Sequence, residues 1–176
     1  MVIRKANDSD IELIANLYIE NWKKTYRGLL SNEFLNSLKV SDGIQKWQEY
    51  LKKERHMIFV AYEDEKFLGF SACKEDDEIE SCLYLDSLHV SEASRGKGIG
   101  TKLINTVGHY AYSQGYKCMS ICIVKGNSNA KILYEKLGAT HYKDFIDYFG
   151  GTQSNSEKLI WDNLNSFVQI QIYEFH

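Results

Sequence analysis

The sequence predicts an α+β fold built as one domain over residues 1–164. Three observations carry this expectation. Short apolar runs of strand length recur at residues 57–62, 67–73, 79–90 and 117–124. Around them lie longer segments whose apolar residues return every three or four positions, the period of a helix packed on one side. The order is a hairpin in the first half and strand, turn, helix, strand, helix in the second.

Taken in order, residues 2–6 are a strand-like start, and Asp8 and Ser9, with Glu12 three residues after Ser9, offer N-cap and capping-box chemistry. In the helix that follows, Ile11, Ile14, Ala15, Tyr18 and Trp22 fall on one stripe, which is expected to face a sheet. Tyr26-Arg27-Gly28 breaks the pattern, and shorter helices are expected at about residues 32–39 and 41–54, the second carrying Ile44, Trp47 and Leu51. The runs 57–62 and 67–73 are joined by Glu63-Asp64-Glu65-Lys66, a polar connection of hairpin length, and read as antiparallel strands. After an acidic turn at 75–78 a strand is expected over about 79–90, followed by a glycine-rich turn and a helix with Ile99, Leu103, Val107 and Tyr110 inward.

Residues 117–124 read as a strand and 129–137 as a helix ended by Gly138. Residues 142–148 and 159–161 read as the last strands, separated by a polar loop containing Gly150, Gly151, Ser154 and Ser156. In the tail, 165–176, Val168, Ile170 and Ile172 alternate with Gln169, Gln171 and Tyr173, the period of a half-buried strand. An open edge of that kind recruits other chain segments, so 167–175 is expected to add to a sheet edge, within the monomer or across a homodimer.

Composition narrows the function classes. With 176 residues, 44% hydrophobic and 26% charged, the chain is an ordinary globular domain with a core of its own. A net charge of −3 lacks the basic excess by which nucleic-acid binders displace counterions, so a small-molecule partner and no nucleic acid are expected. Cys73, Cys82, Cys118 and Cys122 form no CxxC pair and each sits in an apolar, strand-like stretch; free packed thiols are expected, not a metal site or disulfides. No apolar run of signal-peptide length follows Met1, and no uncharged run approaches the roughly 18 residues of a membrane span. A cytoplasmic protein without membrane attachment is therefore expected.

The most informative segment is Arg95-Gly96-Lys97-Gly98-Ile99-Gly100, between the strand 84–90 and the next helix. Glycines let the backbone approach a ligand closely, and free N–H groups at a helix start, aided by its dipole, attract an anion. Arg95 and Lys97 add positive charge, so a pyrophosphate is the expected guest. A Walker A motif is excluded because Gly98, not Ser or Thr, follows Lys97, and the dinucleotide fingerprint fails because Thr101 and Leu103 stand where its last glycine is needed.

The pattern Arg-x-x-Gly-x-Gly between strand and helix resembles the central coenzyme A motif of the GNAT superfamily of N-acetyltransferases. Asn127-Ser128-Asn129-Ala130-Lys131-Ile132-Leu133-Tyr134-Glu135-Lys136-Leu137-Gly138 is similar to that superfamily's next segment, and the resemblance runs from residue 3 to about 161. Many members have Pro where Glu92 stands, a departure that bears on turn rigidity. The resemblance implies an α/β/α layered fold, with a central mixed, mostly antiparallel twisted sheet of six to seven strands flanked by about four helices. It implies acetyl-CoA as cosubstrate. The backbone of Leu88 and Val90 would pair with the pantetheine arm, the neighbouring His89 would adjoin it, and the N–H groups of Arg95, Gly96, Lys97, Gly98, Ile99, Gly100 and Thr101 would surround the pyrophosphate. Asn127, Ala130 and Tyr134 would line the arm's other side.

Acetyl transfer needs a neutral amine, support for the thioester oxygen and a proton for the departing thiolate. Tyr134 alone reads as a core tyrosine; the resemblance implies that it protonates the coenzyme A sulfur, and that the Leu88 N–H, freed by a strand bulge, supports the oxygen. Tyr84, Asp86 and Leu88 are expected on one strand face by alternation, with His89 packed on the opposite face. Several members carry a glutamate where Tyr84 stands, so Asp86, acting through water, becomes the candidate base, with Glu80 second; the other reading of Asp86 is an anchor for a substrate ammonium. Trp22, Tyr26, Arg27 and Tyr84 are the candidate acceptor residues. The expected activity is acetylation of a primary amine on a polyamine, aminoglycoside or amino-acid-like molecule, by direct attack in a ternary complex and without a metal. The alternatives are a protein N-terminal or lysine acetyltransferase and a non-catalytic acyl-CoA sensor.

Overall fold

A computed structural model describes residues 1–168. Seven strands, β1 (Val2–Lys5), β2 (Met57–Glu63), β3 (Lys66–Glu75), β4 (Cys82–Val90), β5 (Cys118–Val124), β6 (Thr140–Phe149) and β7 (Thr152–Trp161), form one sheet in the order β1-β2-β3-β4-β5-β7-β6. Neighbours are antiparallel except β4 and β5, which run parallel. Helices α1 (Ile11–Thr25), α2 (Asn32–Ser37), α3 (Val40–Lys52), α4 (Ile99–Ser113) and α5 (Ser128–Lys136), with short 3-10 turns at Asp8–Asp10, Glu92–Ser94 and Asn165–Phe167, complete the described elements. The α+β class and the mixed sheet expected from the sequence are what the chain adopts.

Two cores separate the layers. On one face α1 and α3 bring Ile14, Ala15, Trp47 and Tyr50 onto Ile58, Val60, Phe70 and Ala72. On the other, Leu103, Ile104 and Val107 of α4 and Tyr134 of α5 cover Leu83, Leu85, Met119 and Ile121. Among these Trp47, Leu103 and Met119 are fully buried, so the stripes read by helical period do face the sheet.

The chain departs from the sequence reading at four places. The capping box belongs to Asn7 and Asp10, not Ser9 and Glu12: the Asn7 side chain accepts the Ser9 N–H and Asp10 accepts the Asn7 N–H, both at 2.9 Å. The box wins there because buried Asp10 also takes Arg4, at 2.8 and 2.9 Å, and the Tyr62 hydroxyl, at 2.8 Å, tying β1 and β2 to the helix start. The fourth strand begins at Cys82 instead of residue 79, since Asp76 accepts the N–H groups of Glu78 and Ile79 and turns the chain there. The polar loop between the last strands shrinks to a turn at Gly150 and Gly151; Ser154 and Ser156 are buried inside β7, paired with Asp147 and Phe145. Residues 165–167 form a short 3-10 turn, not a strand, and Phe167 packs so closely on α4 that a Cβ at Gly108 would lie 2.3 Å from its ring. The expected strand pairing and homodimer contact of the tail fall mainly on residues 169–176, outside the described residues.

A buried ion pair crosses the sheet on the α1 side. Lys158 of β7 lies 2.7 Å from Asp76 and 2.9 Å from Glu78, with the Lys158 and Asp76 side chains 5% and 1% exposed. Asp76 also accepts the Ser120 hydroxyl of β5, and Glu78 accepts Lys143 of β6. On the opposite face Glu157 is held by Lys131 at 2.7 Å and His141 at 2.8 Å.

Burial would raise the carboxyl pKa of Asp10, Asp76 and Glu157, but their hydrogen bonds to Arg4, Lys158 and Lys131 respectively outweigh it and hold all three below their ordinary values. A depressed native pKa contributes stability that is complete above the unfolded value and is lost as pH falls through the native value. Thermal melts should therefore be flat from neutral pH to about pH 5 and should drop steadily below about pH 4. A melting temperature at pH 3 equal to that at pH 7 would contradict the assignment.

Candidate active site

The site begins where β4 and β5 part. Their parallel pairing covers only Cys82, Leu83 and Tyr84 with Cys118, Met119 and Ser120. On its other edge β4 carries a bulge: Ala72 pairs with Ser87 and Cys73 with Leu85, leaving Asp86 as the extra residue. A bulge resets alternation. Leu83 and Leu85, and then Leu88 and Val90, pack on the α4 side, whereas His89 stacks on Phe70 at 5.3 Å and meets Tyr18 edge-on at 5.4 Å, on the α1 side. The expected single face for Tyr84, Asp86 and Leu88, with His89 opposite, is thereby corrected: His89 shares the α1 side, and Leu88 faces away from it.

The bulge also fixes where the backbone points. The Ser91 N–H donates to Leu68 at 2.8 Å, and the His89 carbonyl lies so near β3 that a Cβ on Gly69 would be 2.4 Å from it. Residues 89 and 91 thus turn their backbone groups toward β3, and by alternation Leu88 and Val90 turn theirs into the gap between β4 and β5.

At the head of the gap α4 starts at Gly98, with φ of +77°, after Gly96 at +75°. Nothing lies within 4 Å of a Cβ built on either, so glycine is required there by the left-handed backbone and not by crowding. No side chain caps the helix, leaving its first N–H groups as free donors aimed at an anion. The donor set fits a diphosphate. Across the gap α5 begins after Asn127, and Tyr134, 6% exposed, stands edge-on to Trp161 at 6.0 Å. Burial pushes its phenol pKa above the ordinary value, so it keeps its proton at physiological pH.

These walls enclose a groove of about 800 Å³ that runs from the α4 turn to an aromatic end. There Trp22 lies 4.6 Å from Tyr26 and 5.6 Å from Phe149, and Phe34 lies 5.9 Å from Phe149. Asp86 and Asp147 also line the groove. The floor holds Tyr84 beside Cys122, with burial, followed by neighbouring Cys122 and Asp86, lifting the phenol pKa well above its usual value.

Of the residues read from the sequence, Trp22, Tyr26, Tyr84, Asp86, Leu88, His89, Val90, Arg95, Gly96, Gly98, Ile99, Gly100, Thr101, Asn127, Ala130 and Tyr134 all line the groove. Arg27 and Lys97 do not. Both are exposed, Arg27 in the turn after α1 and Lys97 at the apex between the two left-handed glycines. Missed were Asn21, Lys46, Phe34, Asp147 and Phe149. The alternation of Phe145, Asp147 and Phe149 in β6 was a readable sign that the last two share a face.

His141, Asp144 and Glu157 bring their ligand atoms within 4.8 Å of one another, on the α5 side. Lys131 at 2.7 Å from Glu157 and Lys125 at 2.8 Å from Asp144 already neutralise this cluster, which is an ion-pair network.

A parted pair of parallel strands beside an uncapped, glycine-opened helix start offers a slot for an extended arm that ends in a diphosphate, the shape of a coenzyme A thioester. The model of the acetyltransferase (GNAT) family matches residues 15–139, and the chain belongs to this family of acetyl-CoA-dependent N-acyltransferases. It is 23% identical over 172 residues to the uncharacterized N-acetyltransferase YuaI of Bacillus subtilis, covering 94% of this chain and 95% of that one. Among solved structures it is similar to ribosomal-protein-alanine N-acetyltransferase from Brucella melitensis, with a TM-score of 0.75, 18% identity, and 92% and 99% of the two chains covered. It is also similar to the PaiA N-acetyltransferase of Thermoplasma acidophilum in complex with coenzyme A, with a TM-score of 0.69, 22% identity, and 89% and 98% covered.

Proposed function

We propose that the chain acetylates a primary amine on a small cationic molecule, polyamine, aminoglycoside or amino-acid-like, by direct attack within a ternary complex. The observation that carries this reading is the aromatic end of the groove, where Trp22, Tyr26, Phe34 and Phe149 meet, in a groove that the carboxylates of Asp86 and Asp147 also line. Aromatic faces and carboxylates together suit an organic cation. The bound thioester supplies an electrophilic carbonyl. Leu88 offers its N–H to the oxygen as negative charge grows there. Asp86, on the bulge, receives the amine proton through water. Tyr134 gives its phenolic proton to the departing sulfur and is reprotonated from solvent. No step needs a metal ion. The free thiols of Cys73, Cys82, Cys118 and Cys122 suit a reducing compartment, so a cytoplasmic setting belongs to the same proposal.

The test is thiol release from acetyl-CoA across a panel of polyamines, aminoglycosides, amino acids and N-terminal peptides. Turnover with a small cationic amine is expected. Turnover with peptides alone would replace the substrate class, and coenzyme A binding without turnover on any amine would leave a sensor.

A further inference from the structure

Asn21 is the least expected residue of the groove. It lies toward the C-terminal end of α1, on the buried face that Ile14 and Leu17 also occupy, and is only 5% exposed. Its amide meets three groups from two other elements. Oδ1 accepts from the Arg95 guanidinium at 3.2 Å, and Nδ2 donates to the Val90 carbonyl at 3.2 Å and faces His89 Nδ1 at 3.4 Å. Only an amide offers one acceptor and two donors in this arrangement. The contact with His89 requires a neutral ring with Nδ1 unprotonated, and burial, helped by Lys46 and Arg95, pushes that ring's pKa down to about 3. One turn further along α1, Lys24 reaches Glu92 at 2.7 Å, a second link to the segment before the glycine turn.

Val90 turns its backbone into the gap between β4 and β5, and Arg95 opens the phosphate-binding turn. We infer that Asn21 is a positioning residue that sets the spacing between the end of β4 and the glycine turn, and thereby the fit of the coenzyme A arm and diphosphate at once. Because Trp22, Thr25 and Tyr26 of the same helix end also line the groove, the Asn21 amide ties that end of α1 to both the end of β4 and the glycine turn. The inference rests on coenzyme A lying along β4 with its diphosphate at Gly96 to Thr101.

Isothermal titration of coenzyme A into wild type and Asn21→Ala tests it without turnover. The expected result is a dissociation constant raised roughly tenfold, from hydrogen bonds lost around a charged partner, while the KM for the acceptor at saturating acetyl-CoA stays within about twofold. In an Arg95→Ala background the Asn21→Ala change should cost clearly less than in wild type, because the two act as one unit. Unchanged affinity, or equal losses for coenzyme A and acceptor, overturns the inference. Should the alanine variant not fold, Asn21→Asp keeps the size and the Arg95 contact but sets an oxygen against the Val90 carbonyl, so weakened coenzyme A binding is again expected and wild-type affinity overturns the idea. A wild-type protein that binds no coenzyme A would instead remove the placement on which the inference rests.

Discussion

Replacing Tyr134 by phenylalanine is expected to lower turnover by roughly ten- to a thousandfold, the range for one positioned proton donor, while the dissociation constant of coenzyme A stays near the wild-type value. The hydroxyl is the one polar atom removed, and the ring that packs edge-on to Trp161 is kept. Tyr134 is also core: burial holds its phenol protonated, which suits a group that must give up a proton only when thiolate appears beside it. Steady-state thiol release alongside titration of coenzyme A separates the two contributions. Equal losses in turnover and affinity would make Tyr134 a packing residue, and unchanged turnover would take it out of the chemistry.

The largest stability effect should come from Lys158→Met. Methionine matches the length of the aliphatic stem but leaves the Asp76 carboxylate, 1% exposed, facing a thioether. Losing one partner of a buried pair costs about 3–5 kcal/mol because the other charge stays desolvated, which corresponds to a fall in melting temperature of about 10 °C for a chain of this size. Adding Asp76→Asn should recover much of the loss, since the unpaired charge is then gone. A single variant that melts within about 2 °C of wild type would show that Asp76 is already neutral or hydrated in the native protein.

What the chain disclosed before folding was local chemistry. The glycine turn was readable because strand end, glycines and helix start are consecutive, and the same holds for Asn127 to Gly138. The bulge at Asp86 was not, because a bulge is a property of the pairing between β3 and β4, and no residue type marks it. From that followed the misplacement of His89, which alternation sent to the α4 side. Asn21 shares the buried face of α1 with Ile14 and Leu17, but only the packing of α1 against the end of β4 gives its amide three partners. Ser154 and Ser156 suggested a loop because hydroxyls are common in turns, yet inside β7 they are small residues under a crowded hairpin. Phe34 and Phe149 are far apart in sequence, and only the sheet order brings them together around Trp22.

That sheet order has a consequence for how the protein is made. Among the described residues β6 has no neighbour except β7, and β7 slots between β5 and β6 although it follows both in the sequence. A nascent chain carrying everything up to residue 150 already has the diphosphate turn, but its sheet still stops at β5. Asp147, Phe149 and Ser156 join the groove only when the hairpin docks as a unit, so this wall of the pocket is closed after the glycine turn is already in place.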